Sequence, residues 1–309
     1  MQPNKILITG EGQLGSFYRD YFQEKGVDVV NTDSSIDIRN QEKIREKIEQ
    51  EDPDLLIHTA AKTDIDWCEQ NRTKCFEVNT LGADNVGEIC EDNDIYMVHL
   101  SSGCVLESKT EDDIKDEQAQ PNPLCFYSWT KLWAEEMLEF RARNNDLDLL
   151  ILRPRQLMSA KVSPRNALTK MLTYDKFIDT PNSCTVVEDL MEVTNEMIEK
   201  DLTGKYHIAN PGVTTPHEIA QNLDEIIGLD SDEFEKITKE ELNDMTLAER
   251  VDAVLDISKM ESEGIELKNI HDRMREVMRQ LKENMETKQA QEAINQTQQD
   301  TEEKLNLVD

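Results

Sequence analysis

The chain has 309 residues, with 34 Lys and Arg against 65 Asp and Glu, a formal net charge of −31; a surface this negative repels phosphate backbones and anionic headgroups, which excludes nucleic acid and membrane as partners. The longest apolar runs, such as DLDLLILR ending at Arg153, are far too short to span a bilayer, so a soluble cytoplasmic chain without a signal peptide is expected. The length suits about two domains with a sizeable core, and the six cysteines (Cys68, Cys75, Cys90, Cys104, Cys125, Cys184) form no CxxC pair, which favours reduced thiols over disulfides.

Lys5 to Thr9 (KILIT) is a short β-branched run leading into GEGQLG, after which Leu14, Phe17, Tyr18, Tyr21 and Phe22 fall at helical spacing. Val27 to Val30 and Leu55 to Thr59 predict the second and third strands, with a helix carrying Ile44 and Ile48 between them. Further strands are expected at Tyr96 to Leu100 and Leu149 to Leu152, with helices around Leu81 to Cys90 and Thr130 to Arg141. Strands alternating with helices imply a doubly wound parallel sheet of the Rossmann type. Residues 1–155 are thus read as a dinucleotide-binding domain, to which a late strand at Lys205 to Ala209 returns. Residues 156–283, with helices around His217 to Ile227 and Ile270 to Leu281, are read as a smaller α/β region for the second ligand. Residues 284–309 contain five glutamines and few large apolar groups, which predicts a mobile or loosely helical tail.

Gly10, Gly12 and Gly15 are spaced as GxGxxG after a strand and before a helix, where backbone N–H groups can approach a pyrophosphate. Asp33 lies just after the second strand, where a carboxylate can bond ribose hydroxyls; its other reading is a turn cap. A carboxylate there repels a 2′-phosphate and favours NADH, while nearby Arg39 keeps NADPH open.

Tyr127 and Lys131 stand four apart in YSWTK, on one face of the start of a helix. A lysine ammonium there lowers the phenol pKa and makes Tyr127 a proton donor to a carbonyl under reduction. Ser102, at the end of the Tyr96 to Leu100 strand, can hold the same oxygen. Ser, Tyr and Lys after a nucleotide motif resemble an extended short-chain dehydrogenase/reductase. The five histidines show no metal-ligand spacing, so no metal is expected.

The segments HTAAKTDIDWCEQN, SSGCVLE, FYSWTK, LRPR, SPRNALTKMLTYDKFIDTPNSCT and LTGKYHIANPG resemble the nucleotide-rhamnose synthase epimerase/reductases and dTDP-4-dehydrorhamnose reductases, over about residues 5 to 280. The resemblance implies reduction by NADPH or NADH of a 4-keto-6-deoxyhexose on UDP or dTDP, with prior epimerisation at carbons 3 and 5. Ser102, Tyr127 and Lys131 match the reductase residues, Cys104 and Lys170 the epimerase residues. It also implies cofactor contacts from Gln13, Leu14, Asp37, Ile38, Ala60, Ala61, Lys62 and Asn79. Substrate contacts are assigned to Asp66, Trp67, Glu69, Arg155, Arg165, Asn166 and Asn182, with Ser183 beside them. A thiol near a lysine suits proton transfer next to a ketone, because the ammonium draws the thiol pKa toward neutrality; the alternative for Cys104 is a small buried hydrophobe. Two alternatives stay open: a reductase acting only on epimerised substrate, and a non-catalytic cofactor-binding subunit. A homodimer through helical faces is the assembly expected of this fold type.

Charge is unevenly spread. Residues 153–176 carry Arg153, Arg155, Lys161, Arg165, Lys170 and Lys176 against Asp175 alone. This basic island is expected to meet the substrate diphosphate.

Overall fold

A computed structural model describes residues 1–33, 35–228 and 234–305. In chain order, Lys5–Thr9 (β1), Gln13–Glu24 (α1), Asp28–Thr32 (β2), Gln41–Glu51 (α2) and Leu55–His58 (β3) open the fold. The short helices Ile65–Gln70 (α3) and Arg72–Phe76 (α4) pass through a π-helical turn, Glu77–Leu81, into Gly82–Asp92 (α5) and Tyr96–Leu100 (β4). Phe126–Asn144 (α6) and Leu149–Pro154 (β5) follow. The remainder comprises Leu157–Met158 (β6), Ala167–Met171 (α7), Lys176–Ile178 (β7), Thr185–Val186 (β8), Val187–Glu199 (α8), Gly204–Ile208 (β9) and Pro216–Ile227 (α9). It ends with Glu235–Ile237 (β10), Lys239–Asp244 (α10), Ser258–Ser262 (α11), Ile270–Asn284 (α12) and Lys288–Leu305 (α13).

The main sheet runs β2-β1-β3-β4-β5-β9 with every pair parallel. Its strands read as continuous apolar runs because both faces are covered. Helices α1 and α8 close one face over Ile6, Ile8, Ile57, Val98 and Leu152, while α2, α5 and α6 close the other over Leu7, Leu56, Met97 and Ile151. From β1 the order steps one way to β2 and the other way to β3. The switch point therefore lies over the carboxyl ends of β1 and β3, where ligands of such sheets bind.

A second core gathers Leu168, Met171, Phe177, Val186, Ile219, Leu223, Met274, Val277 and Leu281 around two small parallel ladders, β6–β8 and β7–β10. The cut at residue 155 is not clean, because α8, β9, Met260 and Ile265 all return to the main sheet. The tail reading also changes. Ala290 and Thr297 are buried on α13, and Thr301 Oγ1 lies 3.0 Å from Thr173 Oγ1, next to α7. Ala290, Ala293, Ile294, Thr297 and Thr301 form a narrow helical stripe in which one large aliphatic side chain stands among small groups, enough to dock the helix.

Candidate active site

The glycine turn is built by what a side chain would strike. A methyl on Gly15 would lie 2.1 Å from Gly10 O, and one on Gly10, at φ +90°, would lie 3.2 Å from Ala60 Cα across the switch point. β2 runs two residues past its predicted end because its polar terminus braces this turn. Gly10 N donates to Thr32 Oγ1 at 2.9 Å, and Asn31 Nδ2 donates to the carbonyls of Gly10 and Gly15 at 3.3 and 3.2 Å. Neither Asn31 nor Thr32 is singled out in the sequence, where the second strand is expected to end at Val30. α1 starts at Gly12 without a side-chain cap, leaving its first amides available, with Gln13 and Leu14 in the opening turn. Gln13 Nε2 and Asn31 Oδ1 are buried polar atoms with no partner in the protein. These features fit a dinucleotide pyrophosphate.

Asp33 is exposed just beyond β2, and its carboxylate accepts from the backbone N–H and hydroxyl of Ser35, which hold it below the usual carboxylate range. Arg39 is taken by Asp37, with Nε 3.0 Å from both carboxylate oxygens, and by Glu77 at 3.0 Å. Ile38 is buried against Gly82. Asn79 is buried. Its amide is consumed by the Lys62 backbone, Cys75 and Thr130, so it fixes the 60–62 loop, including Ala61, from behind.

α6 begins at Phe126, four residues before its expected start, which puts Tyr127 in its first turn. Ser102, Cys104, Tyr127 and Lys131 meet there. The Ser102 hydroxyl lies beside the Tyr127 phenol and the Cys104 thiol and accepts from Cys104 N at 3.3 Å, and Lys131 Nζ donates to Leu100 O at 2.7 Å. Burial pushes Lys131 down to about 8, partly offset by Glu135. Two electrostatic expectations fail. Burial holds Tyr127 well above the ordinary phenol value, and burial likewise raises Cys104, with Ser102, Ser128 and Arg155 pulling the other way. Lys170 is not among the groups acting most on Cys104. It sits on α7, and the residues the structure brings together are Ser102, Cys104, Tyr127 and Lys131.

Most of the predicted substrate contacts do other work. Asn166 is fully buried; it caps α7 through Leu168 N and donates to Ser159 O and Lys161 O. Asn182, also fully buried, accepts from Arg155 Nε and Ala253 N and donates to Asp252, and Ser183 Oγ accepts from Leu255 N. Asp66 forms a bidentate pair with Arg250 at 3.0 and 2.7 Å. Glu69 accepts from Phe126 N at 3.0 Å, which caps the helix carrying Tyr127, while Lys62 lies 5.5 Å over the Trp67 ring. Arg155 is tied to Asn182 and Val251 O as the wall behind Gly103 and Cys104. The basic island is largely spent: Arg153 is buried in an ion pair with Glu135 at 2.5 Å, Lys161 pairs with Asp20 and Lys176 with Glu235.

This chain matches the family described as RmlD substrate binding domain over residues 4–283. The chain belongs to that RmlD family. Among its relatives, the bifunctional dTDP-4-dehydrorhamnose 3,5-epimerase/dTDP-4-dehydrorhamnose reductase of Arabidopsis thaliana is 29% identical over 276 residues, 86% of this chain and 89% of that one. The crystal structure of the L780 UDP-rhamnose synthase from Acanthamoeba polyphaga mimivirus aligns with a TM-score of 0.82 at 25% identity, covering 89% of this chain and 99% of that one. A dTDP-4-dehydrorhamnose reductase from Bacillus anthracis str. Ames, solved in complex with NADP, shares the fold at a TM-score of 0.80 and 22% identity, over 91% of this chain and 99% of that one. The doubly wound, Rossmann-type parallel sheet of this RmlD-family chain is shared with these solved structures. The RmlD match stops before α13. Among the described residues, no group of three or more His, Cys, Asp or Glu side chains could hold a metal ion, and no helix is long and apolar enough to cross a membrane.

Proposed function

We propose that this protein reduces a nucleotide-linked 4-keto-6-deoxyhexose, after inverting carbons 3 and 5, to a nucleotide-linked L-rhamnose. The observation that carries the reading is the single cluster of Ser102, Cys104 and Tyr127, with Lys131 beside it, at the carboxyl end of β4. A bound NADH or NADPH supplies hydride to carbon 4 of the sugar. Tyr127 gives its proton to the carbonyl oxygen, Ser102 holds that oxygen by a second hydrogen bond, and Lys131 places positive charge beside it. The same two donors stabilise the enolate that forms when a proton leaves carbon 3 or 5. Cys104, kept protonated by burial, is poised to return a proton to the opposite face, and Lys170 is its partner in the exchange.

NADH is the preferred cofactor on this reading. The exposed Asp33 carboxylate suits free ribose hydroxyls, and Arg39 already has two carboxylate partners. Purified protein incubated with the UDP- or dTDP-linked 4-keto-6-deoxyglucose and NADH or NADPH is expected to give the L-rhamno product by NMR; a product without rhamnose overturns the proposal. Cys104→Ala separates it from a reductase without epimerase activity. The variant is expected to lose turnover of the unepimerised sugar while still reducing the epimerised one.

A further inference from the structure

Arg165, a substrate candidate in the sequence, lies against the glycine turn. Its Nη1 is 3.6 Å from where a methyl on Gly12 would sit, so the guanidinium rests over the second glycine of the turn, at the start of α1. Two further contacts hold the same segment there. Lys161 Nζ lies 5.2 Å over the Phe17 ring and 3.9 Å from Asp20, both on α1. The segment from Lys161 to Arg165 therefore leans along α1 although it belongs to the chain that forms the second core. Arg39, Arg141, Arg153, Arg250 and Arg273 each hold a carboxylate. Among the described residues Arg165 forms no ion pair, in a chain where 65 acids face 34 bases. An exposed arginine left unpaired amid that excess, beside uncapped helix amides, is matched to an anion that arrives from outside.

We propose that Arg165 is a clamp on the pyrophosphate of the dinucleotide cofactor, delivered across the cleft from the substrate side. Its backbone N–H is held by Ser163 Oγ, and the next residue, Asn166, caps α7. Cofactor binding thereby draws residues 161–171, with Lys170, onto the site, so that dinucleotide occupancy prepares the substrate side before any hydride moves. This inference rests on the glycine turn being the dinucleotide site, which the parent protein tests by itself.

The test is equilibrium binding of NADH, ADP-ribose, AMP, UDP and dTDP to the full-length protein and to Arg165→Ala, at low and high salt. A charge-assisted contact predicts a roughly ten-fold weaker Kd for NADH and ADP-ribose in the variant. The gap should narrow at high salt, with AMP weakened less than ADP-ribose, UDP and dTDP unchanged and Arg165→Lys intermediate. Amide hydrogen exchange over residues 161–171 should slow when NADH is added to the parent but not to Arg165→Ala. Unchanged NADH affinity in Arg165→Ala overturns the clamp, as does a loss that falls on UDP or dTDP instead, which returns Arg165 to the substrate. Identical exchange in both proteins overturns the coupling. Failure of the parent itself to bind NADH and ADP-ribose overturns the cofactor-site reading together with the clamp.

Discussion

The cofactor half and the substrate half of this protein use polar residues in opposite ways. Around β1, β2 and β3 the backbone satisfies itself through parallel ladders, and side chains and helix amides at the strand ends are left for a ligand. Between Arg155 and Thr185, and again between Ala248 and Leu255, there is little ladder. Asn166, Asn182, Ser183 and Thr185 supply the hydrogen bonds that irregular backbone cannot make for itself. A polar residue in a regular frame is thus a better candidate for chemistry than the same residue in a loop-rich region, where its first duty is to hold the chain.

The sharpest way to break this contrast is Tyr127→Phe. If the cluster is the catalytic centre, removing the phenolic proton lowers kcat for reduction by about 10³-fold, read by NADH oxidation, with NADH affinity unchanged. A loss of only a few fold moves catalysis elsewhere. Gly15→Ala comes next. The added methyl meets Gly10 O at 2.1 Å, so the turn must open and dinucleotide binding should weaken by on the order of 100-fold by fluorescence titration. Asn182→Ala probes the other half. It strands Arg155 and Ala253 N, which predicts a loss of roughly 2–3 kcal/mol in urea unfolding with KM for the nucleotide sugar nearly unchanged. A raised KM at unaltered stability would restore Asn182 to the substrate.

The sheet was legible because buried parallel strands leave an unmistakable apolar run: β1 and β4 match their predicted bounds, and β3, β5 and β9 differ by one or two residues. The glycines and the Ser102, Tyr127, Lys131 set were legible for a related reason, since their spacing is local. What was not legible depended on distance or on burial. Asp66 finds Arg250 from 184 residues away, and no local pattern marks that pair. The pKa directions of Tyr127 and Cys104 were misread because sequence shows which charges stand near a group but not how little water reaches it. α13 docks through a stripe of mostly small residues around Ile294, which looks, as a string, like the composition of a loose tail.

Buried histidines give the finest comparison, because an inner strand of the main sheet, β3, and its edge strand, β9, each hold one that is kept neutral. Burial pushes His58, at the end of β3 and 2.7 Å from Thr9 Oγ1, down to about 3. Burial and the Arg153 guanidinium bring His207 on β9 to about 4. In both, the unfolded chain takes up a proton that the folded one refuses. Stability is therefore full above the unfolded value of 6.5 and is lost as pH falls toward the folded value. Each imidazole should remove about 1 kcal/mol between pH 6 and 5, approaching the limit of about 1.4 kcal/mol per pH unit. His207→Gln should flatten the pH dependence of urea unfolding by that amount, and His58→Asn should do the same from the middle of the sheet. An unchanged slope in one variant would show that water reaches that strand and that its histidine titrates in the native state.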